Sequence, residues 1–208
     1  VLDKLTELQL ADNSIVIYFA DNGPNSWRWN GDMKGRKGST EEGGVRSACL
    51  IRWTNHIEPG TKVPQITAAI DLLPTLADMA GIPVVSQKEL DGTSLKSLLL
   101  TADAPWSERM LFSHWNKKVS VRTQRFRLDN QGHLFDMVSD PGKRHDVAAE
   151  HPAVTQQLVK AVEDWRGEML PGLGEDDRPF PVGYTKFPTT LLPARDGVPS
   201  GNVKRSNR

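Results

Sequence analysis

Residues with chemical potential gather early in the chain, in the segment DNSIVIYFADNGPNSWRWNGDMKGRKGSTEEGGVRS at 12–47. A run of β-branched and aromatic residues at 14–20 leads directly into Asp21, Asn22 and Gly23. Such a run predicts a strand covered on both faces, as in a parallel sheet. In open α/β sheets, ligands bind beyond the carboxyl ends of the strands. Asp21 and Asn22 would offer one carboxylate and one amide oxygen there, and hard cations such as Ca²⁺ bind oxygen donors.

The Asp-Asn-Gly sequence has two interpretations when it is taken alone. As metal ligands, Asp21 and Asn22 supply too few donors, because Ca²⁺ takes about 6–8 oxygens and the others must come from elsewhere. As a turn, Asp-Asn-Gly after a strand is a common sequence that requires no ligand. These three residues alone favour the turn, so the neighbouring sequence has to decide.

The next segment, MKGRKGSTEEGGVRS at 33–47, indicates a site for an oxyanion. Gly35 and Gly38 allow the backbone to approach a ligand closely, and Lys37 supplies a compact positive charge with three donors. The segment is not a Walker A loop, because Lys37 is followed by Gly38 rather than by Ser or Thr. A solvated basic loop is the alternative interpretation of the same residues.

Composition limits what kind of protein must position these residues. The chain has 208 residues, of which 38% are hydrophobic and 25% charged, so a packed core is expected and general disorder is not. The 26 basic and 26 acidic side chains cancel, which argues against a nucleic-acid-binding protein that relies on overall charge. No apolar run approaches the roughly 18 residues of a membrane span.

The first half of the sequence alternates helix and strand patterns, which favours an α/β architecture. The chain opens on a helical pattern without Met or a signal peptide, so we expect the later part of a longer protein. ACLIRW at 48–53 predicts a second strand. IDLLPTLADMAG at 70–81 predicts a helix with Asp71 as its N-cap and Gly81 at its end. Its predicted apolar face consists of Leu73, Leu76, Ala77 and Ala80.

After residue 106 the pattern changes to short strands joined by tight connections. The segments 110–115, 119–129 and 133–138 predict antiparallel strands. A helix begins near Pro152, and its apolar residues recur at steps of three and four: Val154, Leu158, Val162, Trp165 and Met169. We therefore predict an α/β region at 1–106, a small α+β subdomain at 107–169 and an extended Pro/Gly-rich tail at 170–208.

The order of these elements resembles the type I sulfatases of the alkaline phosphatase superfamily. The resemblance rests on a strand followed by ADNG, then KGRKGSTEEGGVR, CLIRW, IDLLPTLADMAGIP and DGTSLKSLL, and then VRTQRFRLDNQGHLFDMVSDPGKRHDVAAEHP. It covers about residues 1–169. It implies the C-terminal part of an alkaline-phosphatase-like α/β sandwich, followed by a small antiparallel sheet with a helix.

The resemblance also implies a function, that of a calcium-dependent sulfuric ester hydrolase acting on an aryl or carbohydrate sulfate ester. By position, Asp21 and Asn22 match two calcium ligands of the family, and Lys37 matches its sulfate-contacting lysine. The partner would then be a sulfated small molecule or glycan, and the protein would be exported.

The sequence departs from the family at the nucleophile, which is a formylglycine made from Cys or Ser in C/S-x-P-x-R. Cys49 is followed by Leu-Ile-Arg-Trp, and Ser139 begins Ser-Asp-Pro-Gly-Lys, which is typical of a turn. The family's N-terminal Asp-Asp pair is also missing. We therefore expect a C-terminal fragment that carries half of the metal site and is inactive alone.

Several alternatives stay open at this point. His114 could face the substrate or form a hydrogen bond at a strand end, and Trp27 and Trp29 could stack on a sugar or pack the loop against the sheet. A phosphatase or phosphodiesterase of the same superfamily would use two transition metals and several His ligands, yet only five His occur and none is near Asp21. A non-catalytic module that binds sugar or sulfate is the third possibility.

Overall fold

Helices and strands alternate in the first half of the chain, and antiparallel strands with one long helix follow. The computed structural model describes residues 1–86, 88–173, 186, 189, 197–198 and 200–202. The chain divides into two units, Val1–Glu168 and Met169–Arg208. Of the predicted tail, the structure gives a short 3₁₀ helix, Leu170–Leu173, and most of the remainder lies outside the described residues.

The candidate site lies at the end of a two-stranded sheet. Helix α1 (Leu2–Glu7) precedes strand β1 (Ile15–Phe19), which pairs antiparallel with β2 (Cys49–Trp53), and Ile17 lies opposite Ile51. The strands form where the apolar runs predict them, and within the described residues β1 pairs antiparallel with β2 and has no parallel neighbour.

Within the described residues, one face of the β1–β2 sheet packs against a core and the other is exposed. Ile15, Ile51 and Trp53 pack against the first core. On the opposite face, Tyr18 is 72% exposed and its cross-strand partner Leu50 is 63% exposed. The sequence predicted that both faces of β1 are covered, because apolar residues occupy consecutive positions of the strand instead of alternating with polar ones. Within the described residues, the tertiary structure covers one side of it.

The first core forms between this sheet and the helices that follow β2. Helix α2 (Glu42–Val45) precedes β2, and α3 (Leu72–Ala80) and α4 (Lys96–Leu100) follow it. The buried side chains of this core are Met79, Leu95, Leu98, Leu99 and Ala104. The predicted ends of α3 are confirmed, since Asp71 is at the N-cap position and Gly81 ends the helix with a left-handed φ of 66°.

The predicted apolar face of α3 is wrong. Thr75 and Met79 are its buried residues, whereas Leu73 is 57% exposed and Leu76 37%. Thr75 is buried with its hydroxyl donating to the Asp71 carbonyl at 2.6 Å and accepting from the Leu95 amide at 2.9 Å. At the start of the helix, the fully buried Asp71 also pairs with Arg109 at 2.8 Å, 38 residues away along the chain.

The second half contains a four-stranded antiparallel sheet in the order β3-β4-β5-β6. Its strands are Leu111–Trp115, Lys118–Arg122, Phe126–Leu128 and Leu134–Asp136. The hairpin prediction is confirmed, with the addition that the segment predicted at 119–129 is two strands. The break is a tight turn closed by a hydrogen bond from the Thr123 amide to the Phe126 carbonyl, 2.8 Å long.

Helix α5 (Pro152–Met169) packs on this second sheet. Val121 and Leu134 are completely buried, Leu158 of the helix is 1% exposed, and the rings of Phe112 and Trp165 stack at 5.5 Å. The boundary predicted near residue 106 stays a prediction. No helix in the described ranges has both the length and the apolar character needed to cross a membrane.

Candidate functional site

Asp21, Asn22 and Lys37 lie around one open cleft at the end of β1. The cleft has a volume of about 400 Å³. Its walls come from the turn after β1, from the glycine-rich loop and from the residues before β2: Ala20, Asp21, Asn22, Gly23, Pro24, Asn25, Lys37, Arg46 and Ser47. Residues that are 16 positions apart in the sequence thus share one concave surface.

Backbone hydrogen bonds join the three segments that form this cleft. The Gly23 amide donates to the Gly44 carbonyl at 2.9 Å, and the Lys37 amide donates to the Pro24 carbonyl at 3.0 Å. The hydroxyl of Ser47 donates to the Ala20 carbonyl at 2.6 Å. The position of Lys37 relative to the turn is therefore fixed through the main chain.

Two glycines of these segments have different structural reasons, a close approach at Gly23 and a left-handed backbone at Gly38. A Cβ atom on Gly23 would lie 1.9 Å from the carbonyl oxygen of Gly43, a distance that no side chain tolerates. Gly38, next to Lys37, has a φ of 82°, which favours glycine because other residues are strained there. Gly43 and Gly44 have close neighbours of their own, because a Cβ atom on either would lie 2.6 Å from a carbonyl oxygen of the loop, that of Gly35 or of Arg36.

The side chains that face the cleft are available to a ligand. Asp21 and Lys37 are exposed and Asn22 is half-buried. Among the described residues, none of the three side chains has a hydrogen-bond or ion-pair partner. An unpaired carboxylate, an amide and an ammonium group in one cleft suit an anion that is bound together with a cation.

Asp21 and Asn22 fit a hard cation in type but not in number. Both carry an oxygen donor without a protein partner, which suits Ca²⁺. However, the described part of the chain contains no group of three or more His, Cys, Asp or Glu that could hold a metal ion. Two donors do not complete a shell of about 6–8 oxygens.

Buried ion pairs connect the segment that carries Lys37 with the second sheet. Glu42 is 5% exposed, and its carboxylate lies 3.4 Å from Arg46 and 3.6 Å from both Arg122 and Arg127. Two of these arginines lie in β4 and β5 of the second sheet. Burial lowers the pKa of Arg127, and the negative charge of Glu42 opposes this effect.

A second buried pair connects Glu41 with Lys143. The Nζ atom of Lys143 lies 2.5 Å from the Glu41 carboxylate and 3.9 Å from that of Asp129. Burial lowers the pKa of Lys143 and the hydrogen bond to Glu41 opposes the shift. The hydroxyl of Ser120 in addition donates to the Thr40 carbonyl at 2.8 Å. The second sheet therefore supports the loop of the site.

Sequence analysis did not find these supporting residues. Arg122 and Arg127 occur in VRTQRFR, a strand pattern in which the charged residues look solvent-facing, and Arg127 is 1% exposed. Its Nε and Nη2 atoms have no hydrogen-bond partner among the described residues. The sequence feature that could have indicated these residues is the presence of three arginines within the seven residues of VRTQRFR.

The remaining predicted residues lie outside the cleft. His114 is an exposed residue of β3, and its ring centre is 6.1 Å from that of Trp165. Cys49 is exposed at the start of β2. Ser139 belongs to the predicted turn, in which the Lys143 amide donates to the Asp140 carbonyl at 3.0 Å.

Comparison with known proteins shows which proteins this chain is similar to. Residues 1–82 match the family model described as Sulfatase. The chain is 29% identical to human arylsulfatase A in an alignment that covers 78% of this chain and 39% of that protein. This chain is a relative of the sulfatases. It is also 25% identical to an N-acetylgalactosamine-6-O-sulfatase of Bacteroides thetaiotaomicron, covering 78% of this chain and 38% of that protein.

The fold agrees with that relationship. The crystal structure of Ps i-CgsB in complex with k-i-k-neocarrahexaose superposes with a TM-score of 0.71 at 26% identity, over 83% of this chain and 42% of that one. The predicted α/β class and the resemblance to the sulfatase family are thereby confirmed. The chain spans about two fifths of the length of these sulfatase relatives.

Proposed function

We propose that the chain contributes to a calcium-dependent sulfuric ester hydrolase that cleaves sulfate from a carbohydrate or aryl sulfate ester. The observation that carries this proposal is the shared cleft of Asp21, Asn22 and Lys37 in a relative of the sulfatases. The three side chains have no partners among the described residues, so they are available to a sulfate group and its cation.

Lys37 has the clearest role in this proposal. Its ammonium group would donate to the sulfate oxygens and stabilise the negative charge that develops on them in the transition state. The backbone hydrogen bond to Pro24 and the buried charges behind the loop keep Lys37 beside the turn. Stabilisation by a preorganised charge requires this fixed position.

Asp21 and Asn22 would hold the calcium ion together with ligands that these residues do not supply. When bound, a calcium ion would add positive charge at the sulfate. The chain itself has no Cys or Ser in the C/S-x-P-x-R pattern. The attacking nucleophile must therefore come from outside these residues, and the chain alone is expected to show no turnover.

The relatives differ in the substrates that their names describe. One is named an arylsulfatase, one an N-acetylgalactosamine-6-O-sulfatase, and one was solved with a neocarrahexaose. For this chain we extend the proposal to a sulfated small molecule or glycan as substrate, and to export from the cell. A phosphoesterase with two transition metals is disfavoured, because no His lines the cleft.

The function is tested by removing the lysine charge. Hydrolysis of 4-nitrophenyl sulfate and of a sulfated oligosaccharide is measured for the natural protein that carries this sequence and for its Lys37→Ala variant. We expect the rate to fall by roughly 10²–10³, as for other transition-state donors. Lys62→Ala, at an exposed lysine outside the cleft, is the matched control. Equal rates in both variants would exclude Lys37 from catalysis.

Calcium binding is tested separately from activity. Calorimetric titration with Ca²⁺ should give a signal that Asp21→Ala abolishes and Asp3→Ala retains, since Asp3 is an exposed residue of α1. A signal that survives in Asp21→Ala would place the cation elsewhere.

A further inference from the structure

Two tryptophans of the loop after β1 lie in solvent. Trp27 is 81% exposed and Trp29 is 86% exposed, so the interpretation in which they pack the loop against the sheet is wrong. A tryptophan offers a large apolar surface, and exposing it is unfavourable unless a ligand or partner covers it. Both residues lie within a few positions of the cleft in the sequence.

Trp27 is connected to the cleft through Arg36. The guanidinium carbon of Arg36 lies 4.8 Å from the Trp27 ring centre, a cation–π distance. The Nη1 atom of the same guanidinium is 3.4 Å from the carbonyl oxygen of Asn25, a residue of the cleft wall. Arg36 also precedes Lys37 directly. The indole is therefore connected through one side chain to Asn25 of the cleft wall, outside the residues that line the cleft itself.

Arg36 keeps its charge available. It is exposed and has no acidic partner among the described residues. A tryptophan beside an arginine that has no acidic partner among the described residues presents an apolar surface and a positive charge together. This combination suits a ring that carries hydroxyl and acidic groups, because the C–H face of a sugar can cover the indole while the guanidinium binds an anionic substituent.

We propose that Trp27 and Arg36 form a carbohydrate subsite, which binds a sugar ring of a sulfated glycan next to the sulfate held at Lys37. The proposal rests on the proposed function and deepens it, since it selects a sulfated oligosaccharide over a small aryl sulfate. A subsite outside the cleft lining contacts only a substrate that extends beyond the cleft, as an oligosaccharide does.

Trp29 provides the matched control. It has the same side chain, is at least as exposed as Trp27, and makes no cation–π contact within the described residues. Arg28 serves similarly for Arg36, because its Nε atom donates to the Ser26 hydroxyl at 3.0 Å and it is exposed in the same loop.

The experiment is a binding titration of the natural protein that carries this sequence with a sulfated neocarrahexaose, the same hexasaccharide after desulfation, and inorganic sulfate. Trp27→Ala should weaken binding of the sulfated hexasaccharide about three- to tenfold, the fold-change that corresponds to the typical energy of an aromatic contact. It should leave the affinity for inorganic sulfate unchanged. Arg36→Ala should act in the same direction, and Trp29→Ala and Arg28→Ala should not.

The outcomes separate this inference from the proposed function. Binding of the hexasaccharide that is insensitive to Trp27→Ala, or equally sensitive to Trp29→Ala, overturns the subsite and leaves the proposed function in place. Failure of the sulfated hexasaccharide and inorganic sulfate to bind overturns the sulfate site itself, and the subsite with it. Lys37→Ala should weaken the binding of both the sulfated hexasaccharide and inorganic sulfate, because it removes the ammonium group that would contact the sulfate in each.

Discussion

The Nζ atom of Lys143 lies 2.5 Å from the carboxylate of Glu41, a residue 102 positions earlier in the chain. Lys143 is completely buried and Glu41 is largely so. Because Glu41 lies four positions after Lys37, this ion pair attaches the loop of the candidate site to the second half of the molecule.

Removing the charge of Lys143 should strongly destabilise the fold. In Lys143→Met the side chain keeps its length, but Glu41 is left as an unpaired, mostly buried carboxylate. The loss of one partner of a buried pair typically costs about 3–5 kcal/mol. We expect a loss of this size in the free energy of unfolding measured by urea denaturation.

A matched exposed pair provides the control for Lys143. Lys160 and Asp164 are 2.7 Å apart on the surface of α5, with side chains 73% and 65% exposed. Lys160→Met should barely change the urea midpoint, because solvent screens exposed pairs. Similar losses in the two variants would show that burial does not strengthen the Glu41–Lys143 contact.

The carboxylate of Asp136 should make the second sheet sensitive to acid. Burial alone would raise the pKa of Asp136, but hydrogen bonds from Arg125 at 2.9 Å and from the Val138 amide at 3.0 Å lower it below 3.8. The unfolded chain therefore binds the proton more readily than the folded chain. The stabilisation is complete above the unfolded pKa of about 3.9 and is lost as the pH falls through the folded value.

Asp136→Asn is the test of this acid sensitivity. The urea midpoint of the variant should decline less than that of the parent protein between neutral pH and pH 3. Asp103→Asn, at an exposed carboxylate without a hydrogen-bond partner in the described chain, should follow the parent curve. Parallel curves for Asp136→Asn and the parent would contradict the assignment.

The contact between Gly23 and Gly43 should tolerate no side chain. Gly23→Ala would place a Cβ atom 1.9 Å from a carbonyl oxygen, so the turn and the loop must separate. We expect lower stability and weaker sulfate binding. Gly167→Ala, in α5 with open space around its Cβ position, should be neutral or stabilising by up to about 1 kcal/mol. A fully stable Gly23→Ala protein would argue against the close approach.

Hydrogen exchange should be slower around the core of the second sheet than around the first core, because its residues are more deeply buried. Val121, Leu128, Leu134 and Leu158 are at most 2% exposed, whereas the buried residues of the first core are 6–9% exposed. Local opening is more frequent where fewer apolar contacts are buried. We expect the slowest amides in 119–136 and 152–169. Equal protection across β1 and β2 would contradict this.

Local chemistry made part of the fold predictable. The end of α3 at Gly81 follows from a left-handed glycine, and the strands follow from their apolar residues. The buried face of α3 was not predictable, because Thr75 is buried through hydrogen bonds to the Asp71 carbonyl and from the Leu95 amide. The Leu95 amide is 20 residues away in the sequence, and a helical pattern counts Thr as a surface residue.

In the candidate site, too, some residues could be predicted from the sequence and others could not. Asp21, Asn22 and Lys37 were selected by residue type and by resemblance, and the structure places them around one cleft. The charges that support Lys37 were not selected, because Arg122 and Arg127 are about 80 positions away from Glu42 in the sequence. A sequence pattern records neighbours along the chain, whereas a buried ion pair depends on which strands meet in space.

Cys49 is a suitable site for attaching a fluorescent label near the cleft. It is the one thiol in the chain, it is exposed, and it lies opposite Phe19 where β1 ends. Partial burial raises its pKa, so alkylation is best carried out above neutral pH. A fluorophore attached there would stand two residues from Ser47 of the cleft wall. Ligand arrival could then be recorded as a change in emission, without mutating any other residue.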